Sequence, residues 1–111
     1  MLRLAIVGAL ALLTACDDVG GSDEARMKWI EARIILPPGA SPMESYTRHY
    51  TWEDEGRRTV LAVFNNGGTG GRHWLARDKM MYIADGGCGV ITFRFDLASE
   101  RSKKVHCNGV A

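Results

Sequence analysis

Ser41-Pro42-Met43-Glu44-Ser45-Tyr46-Thr47-Arg48-His49-Tyr50 is the stretch on which the reading of the fold turns. Ser41 can cap a helix through its hydroxyl. Pro42 suits the first helical position, where a missing N–H costs nothing. Glu44 can reach back to the Ser41 amide, completing a capping box. Met43, Tyr46, Thr47 and Tyr50 then recur at i, i+3, i+4 and i+7, one stripe of a helix. The pattern predicts a helix over 42–50, with the stripe turned towards a core.

Downstream, Glu53-Asp54-Glu55-Gly56 reads as a solvated acidic turn. Its acids lack the alternate spacing and the terminal Glu of a calcium loop. From Arg57 onward the residues favour strands. Thr59-Val60-Leu61-Ala62-Val63-Phe64 is rich in β-branched side chains. A Gly-rich loop at 65–71 follows, then a short strand at 73–76 and a turn at 77–78. The loop lacks the lysine and the following helix of a phosphate cradle. Met80-Met81-Tyr82-Ile83-Ala84 reads as a further strand, and Asp85-Gly86-Gly87 turns the chain. In 89–95, Ile91, Phe93 and Phe95 alternate with Val90, Thr92 and Arg94; a loop at 96–102 leads to a last strand at 103–107. Upstream, 24–36 fits two periods. Ala25, Trp29, Ala32 and Leu36 share a helical face, while Ile30, Ala32, Ile34 and Leu36 alternate like a strand. The helix formers of the first half favour a helix at 24–33 with an extended exit, which Pro37-Pro38-Gly39 stops. The expected fold is α+β: one or two short helices packed on a four- to five-stranded antiparallel β-meander at 57–107, in a single small domain.

The beginning of the chain is read apart from that domain. Arg3 precedes an apolar run from Leu4 to Leu13, which is too short to stay in a bilayer as a spanning helix. It ends in Leu13-Thr14-Ala15-Cys16. These residues resemble the lipobox of bacterial lipoproteins at all of its positions. The resemblance implies cleavage before Cys16, diacylglycerol on its sulfur and membrane attachment through that lipid. The expected organisation is therefore a signal at 1–15, a lipidated Cys16 with a polar tether to 23, and a folded part at 24–111. Asp17 resembles the residue that keeps enteric lipoproteins in the inner membrane. That favours the inner membrane, facing the periplasm, without excluding the outer. Cys88 and Cys107 then remain as an even pair in an oxidising compartment and read as a disulfide. If they face each other across the last hairpin, Phe95 opposes Glu100, Val90 opposes Val105, and 96–99 forms the turn, unless a bulge shifts the register.

Charge and motif narrow the function. The signal holds Arg3 of the 14 basic residues and none of the 13 acidic ones, so the rest is formally neutral. A nucleic-acid binder would show a basic excess. With scattered histidines and no CxxC spacing, zinc is not expected. Neither a GxSxG elbow nor an HExxH pair occurs, and no catalytic residue, cofactor or small-molecule ligand is evident. The expected role is a non-catalytic binding or structural accessory module, with another envelope protein as its partner. Trp52, Trp74 and Tyr82 are the aromatic candidates for a partner surface; the same rings are what a domain this small needs for its core. The alternatives are an inhibitor of an envelope hydrolase, whose characteristic Ser-rich motif is absent, and an entry-exclusion-type lipoprotein, similar in size and anchor.

Overall fold

The computed structural model describes residues 22–109, so the lipobox, Cys16 and the tether up to 21 lie outside the described residues. The chain divides into a unit ending at Ala32 and a unit from Arg33 onward.

In the first unit, helix α1 spans Asp23–Glu31. Ser22 caps it, its hydroxyl accepting from the Ala25 amide at 3.2 Å. Asp23 and Glu24 place negative charge on the first turn, where the helix dipole favours it. Asp23 also pairs with Arg26 at 2.7 Å. The described structure thus begins inside the expected tether, and the helix ends two residues earlier than 33. Its buried apolar residues are Met27 and Ile30, not the Ala25, Trp29 and Ala32 face. Two periods overlapped in this stretch, and the larger aliphatic side chains took the interior.

The second unit is a five-stranded sheet in the order β3-β1-β2-β4-β5. The strands are β1 (Thr47–Trp52), β2 (Thr59–Asn65), β3 (Gly71–Trp74), β4 (Val90–Asp96) and β5 (Arg101–Cys107). One helix with a mixed sheet is an α+β arrangement, but not the expected antiparallel meander. β3 runs parallel to β1, while the other neighbours are antiparallel.

The expected helix at 42–50 is corrected to strand. Only Met43–Ser45 makes a 3-10 turn, closed by the Ser45 amide on the Pro42 carbonyl at 2.9 Å. Pro42 itself is extended, at φ −55° and ψ 144°. Ser41 does not cap; its amide donates to the Tyr46 hydroxyl at 3.0 Å. The capping signals start one turn and no more. After it, Tyr46, Tyr50 and Trp52 fall on one face of an extended chain and Thr47 and Thr51 on the other, and these β-branched and aromatic side chains favour a pleated strand. A strand between two partners satisfies the backbone at 47–52 and buries Tyr50 completely.

β2 is central and buried from Val60 to Phe64. On one side of the sheet lie Tyr50, Val60, Phe64, Ile91, Phe93 and Phe95, none more than 2% exposed. Each such burial is worth ~1.5–3 kcal/mol. The opposite side carries Leu61, Val63 and Val90, covered by Met80, with Leu75 and Ile83 partly buried beside it. This cover corrects the expected strand at 80–84. The chain leaves edge strand β3, crosses this face and joins β4 beyond β2, so the segment lies over the sheet instead of within it.

Cys88 and Cys107 are bonded, with 4.4 Å between their Cα atoms. The register nevertheless differs from the expectation. Phe95 opposes Ser102, Ile91 opposes Cys107, and the pairing shifts at a bulge between Thr92 and Arg94. Cys88 sits before β4, in a 3-10 turn at Gly87–Gly89, and reaches Cys107 from beyond the strand's end. Gly86 allows that corner. Its φ is +111°, and a Cβ there would lie 2.6 Å from the Val90 Cγ2. Tyr46 donates from its hydroxyl to the Cys88 carbonyl at 2.7 Å, and the Asn108 amide donates to the Val90 carbonyl at 2.9 Å.

Candidate functional site

The parallel pairing of β1 and β3 decides where the tryptophans go. It sets Tyr50 opposite Trp74, which brings Trp52 to the same end of the same face. The Leu75 amide continues the pairing on the Tyr50 carbonyl at 2.8 Å. The Trp52 and Trp74 rings meet edge to face, with centroids 5.2 Å apart and planes at 70°. Trp74 lies parallel to Tyr50 at 6.3 Å, Tyr50 meets Phe64 at 5.8 Å, and Phe64 meets Phe93 at 5.3 Å. These separations fall in the range where aromatic pairs attract beyond their area burial. The row begins in the fully buried interior and ends at two part-buried indoles.

Those two indoles line an open cleft of about 400 Å³. Thr51, Leu75 and Ala76 also line it, and Asp54, Glu55, Arg57 and Arg77 contribute charge. The turn between β1 and β2 positions its own charges. Asp54 Oδ1 accepts from the Arg58 and Thr59 amides at 3.1 and 3.0 Å. These bonds, the Thr59 one foremost, hold its carboxyl below the usual range. The Arg57 amide closes the turn on the Asp54 carbonyl at 3.2 Å, which leaves Arg57 itself in the left-handed region at φ 56°. Arg77 is steadied by donating to the Glu53 carbonyl.

Tyr82, named with Trp52 and Trp74 from the sequence, is 72% exposed and lines none of this cleft. The fold joins two of the three rings and leaves the third apart. Glu55 belongs to the acidic turn read from the sequence as solvated, and nothing there pointed to Arg57 or Arg77; the turn geometry and the β1–β3 pairing bring all three to the indoles.

A second cluster also escaped sequence reasoning. His49 and His73 are paired residues of β1 and β3, and their rings stack at 5.4 Å. His73 Nε2 lies 2.8 Å from the Gly70 carbonyl. His49 Nδ1 is buried without a hydrogen-bond partner among the described residues. Burial, and then the nearby His73, lower the His49 pKa from its ordinary value. The neutral form of His49 is the one favoured there. Among the described residues, no group of three or more His, Cys, Asp and Glu gathers to hold a metal ion. Nor is any described helix long and apolar enough to cross a membrane. Cys88 and Cys107, being bonded to each other, close a corner of the sheet unit. Compared with known proteins, the chain matches no family model, no curated protein and no solved structure.

Proposed function

We propose that this chain is a lipoprotein of the bacterial envelope, anchored by lipid on Cys16 and facing the periplasm, with a sheet unit that serves as a non-catalytic binding module. Placement at the inner membrane is favoured by Asp17. The observation that carries the binding reading is the convergence of Trp52 and Trp74 on an open cleft with charged groups around it. Sites for small ligands combine an apolar floor with a few polar groups that fix orientation. Rigid aromatic rings supply contact area at low entropic cost. Here the buried row behind the indoles already holds them in place.

The test is retention of tagged Cys16→Ser protein, which carries no lipid, on isolated envelope material, with and without Trp52→Ala. Trp52 is part-buried and lies at the outer end of the row, so its truncation leaves Tyr50 and Phe64 packed. Saturable retention that Trp52→Ala weakens, with unchanged circular dichroism, supports the cleft as the binding surface. Equal retention of both proteins removes the cleft from that role.

A further inference from the structure

We propose that the Trp52–Trp74 cleft takes an uncharged saccharide, with one sugar ring laid on an indole and its hydroxyls held by the charged groups around it. This rests on reading the cleft as a binding site and adds the chemical class of its ligand.

Three features point to a sugar. The first is charge balance. Asp54 and Glu55 oppose Arg57 and Arg77, so the lining carries acceptors and donors but no formal net charge. A phosphate or a quaternary amine would find as much repulsion as attraction there. A hydroxyl both donates and accepts, so a polyol can use carboxylate and guanidinium alike. The second is the pair of indoles. The ring face of an indole is electron-rich, and the C–H face of a pyranose is weakly positive and apolar, so the two stack. Because Trp74 is already packed against Tyr50, little ring motion remains to be lost on binding. The third is shape. At about 400 Å³ and open to solvent, the cleft can hold a ring or two while an oligosaccharide continues beyond it. Within this lining, Arg57 keeps a left-handed backbone, and strained conformations of this kind gather at binding sites.

The experiment titrates the full-length protein in detergent with cellotriose, maltotriose and triacetylchitotriose, following the indole N–H signals of its tryptophans by NMR. The signals of Trp52 and Trp74 are expected to move saturably with at least one of these sugars, while that of Trp29 on α1 stays. Arg57→Gly removes the guanidinium and eases the backbone, so its fold is not at risk; affinity is expected to fall by about tenfold. Trp52→Leu is expected to lose more. No saturable shift with any of the sugars overturns the proposal, as does undiminished binding by Arg57→Gly. Equal displacement of the sugar by inorganic phosphate or tetramethylammonium also overturns it, since charge would then be what the cleft reads. If envelope retention depends on Trp52 while no sugar binds, the saccharide inference falls and the binding reading stands.

Discussion

His49 shows how one residue can set the acid response of this fold. Its Nδ1 is buried, its ring stacks on His73, and its pKa lies below the ordinary 6.5. An unfolded chain would take up a proton at His49 near that ordinary value, while the folded one resists it. Stability is therefore complete above about pH 6.5 and declines as pH falls below it, until the folded His49 also protonates. Asp54 and Asp96 act in a lower window. Their pKa values are depressed by hydrogen bonds, from the Thr59 amide and the Ser99 side chain foremost. The stability they add is present above the ordinary 3.8 and is lost as pH falls through their folded values. Urea denaturation at pH 7.5 and 5.5 should show wild type less stable at the lower pH and His49→Gln nearly level. A slope that survives this substitution would place the acid response elsewhere. Arg57 gives a second test at this scale. A left-handed backbone costs a non-glycine residue ~1–2 kcal/mol, whereas glycine adds flexibility to the unfolded chain that offsets about half of it. Arg57→Gly should thus raise the urea midpoint slightly, by about 0.5–1 kcal/mol of stability. A lowered midpoint would mean that the Arg57 side chain contributes more than its backbone conformation costs.

Between β2 and β3 the Gly-rich loop has to pass the start of β1, because β3 lies on that strand's far side. Thr47 holds the loop there. Its hydroxyl donates to the Gly67 carbonyl at 2.6 Å and accepts from the Gly70 amide at 2.7 Å. Thr47→Val keeps the shape and the strand preference but removes both bonds at a site that is 5% exposed. The expected cost is ~1–3 kcal/mol, with faster hydrogen exchange in β3 than in β4. Unchanged exchange in β3 would show that the loop holds its path by backbone bonds alone. Such a role for Thr47 cannot be read from the sequence, where it falls on a helical stripe. Tyr46 and Tyr50 are four apart, a spacing that suits a helix face and a strand face alike, so the capping residues before them decided the reading wrongly. β2 and β4 were legible because their side chains alternate or branch without any competing helical signal. Local residues say nothing of partners, however, and the parallel β1–β3 pairing is a long-range choice. For the same reason the cleft was half legible. Trp52 and Trp74 stand out by type, but their meeting depends on that pairing, and Tyr82 looked equivalent until the segment around it crossed the sheet face. Met80 read as a strand residue and instead covers Leu61, Val63 and Val90. The disulfide was legible from parity, while its register was not, since the corner at Gly86 takes Cys88 out of the strand.

For the whole molecule, the decisive question is where the folded part is held. The lipobox reading puts lipid on Cys16, and α1 is capped at Ser22, so the stretch between them reaches at most ~20 Å even if fully extended. On that reading, a module on so short a lead would stay at the membrane surface and meet its ligands at raised local concentration. One acyl chain would hold it only marginally, at ~0.8 kcal/mol per buried CH₂, whereas the two chains of a diacylglycerol make attachment lasting. On the lipobox reading, the formal neutrality of residues 16–111 gives no electrostatic help, and attachment would depend on the lipid alone. Cys16→Ser should therefore move the protein out of the detergent phase in phase partitioning, without intermediate behaviour at low salt. Its melting temperature should match that of wild type, because Cys16 precedes every element that builds the sheet and the Cys88–Cys107 bond forms without it. If both proteins partition alike, Cys16 is not the anchor. If instead Cys16→Ser lowers the melting temperature, then Cys16 takes part in the fold, and the pairing of Cys88 with Cys107 has a competitor that non-reducing mass spectrometry would reveal as a mixed disulfide.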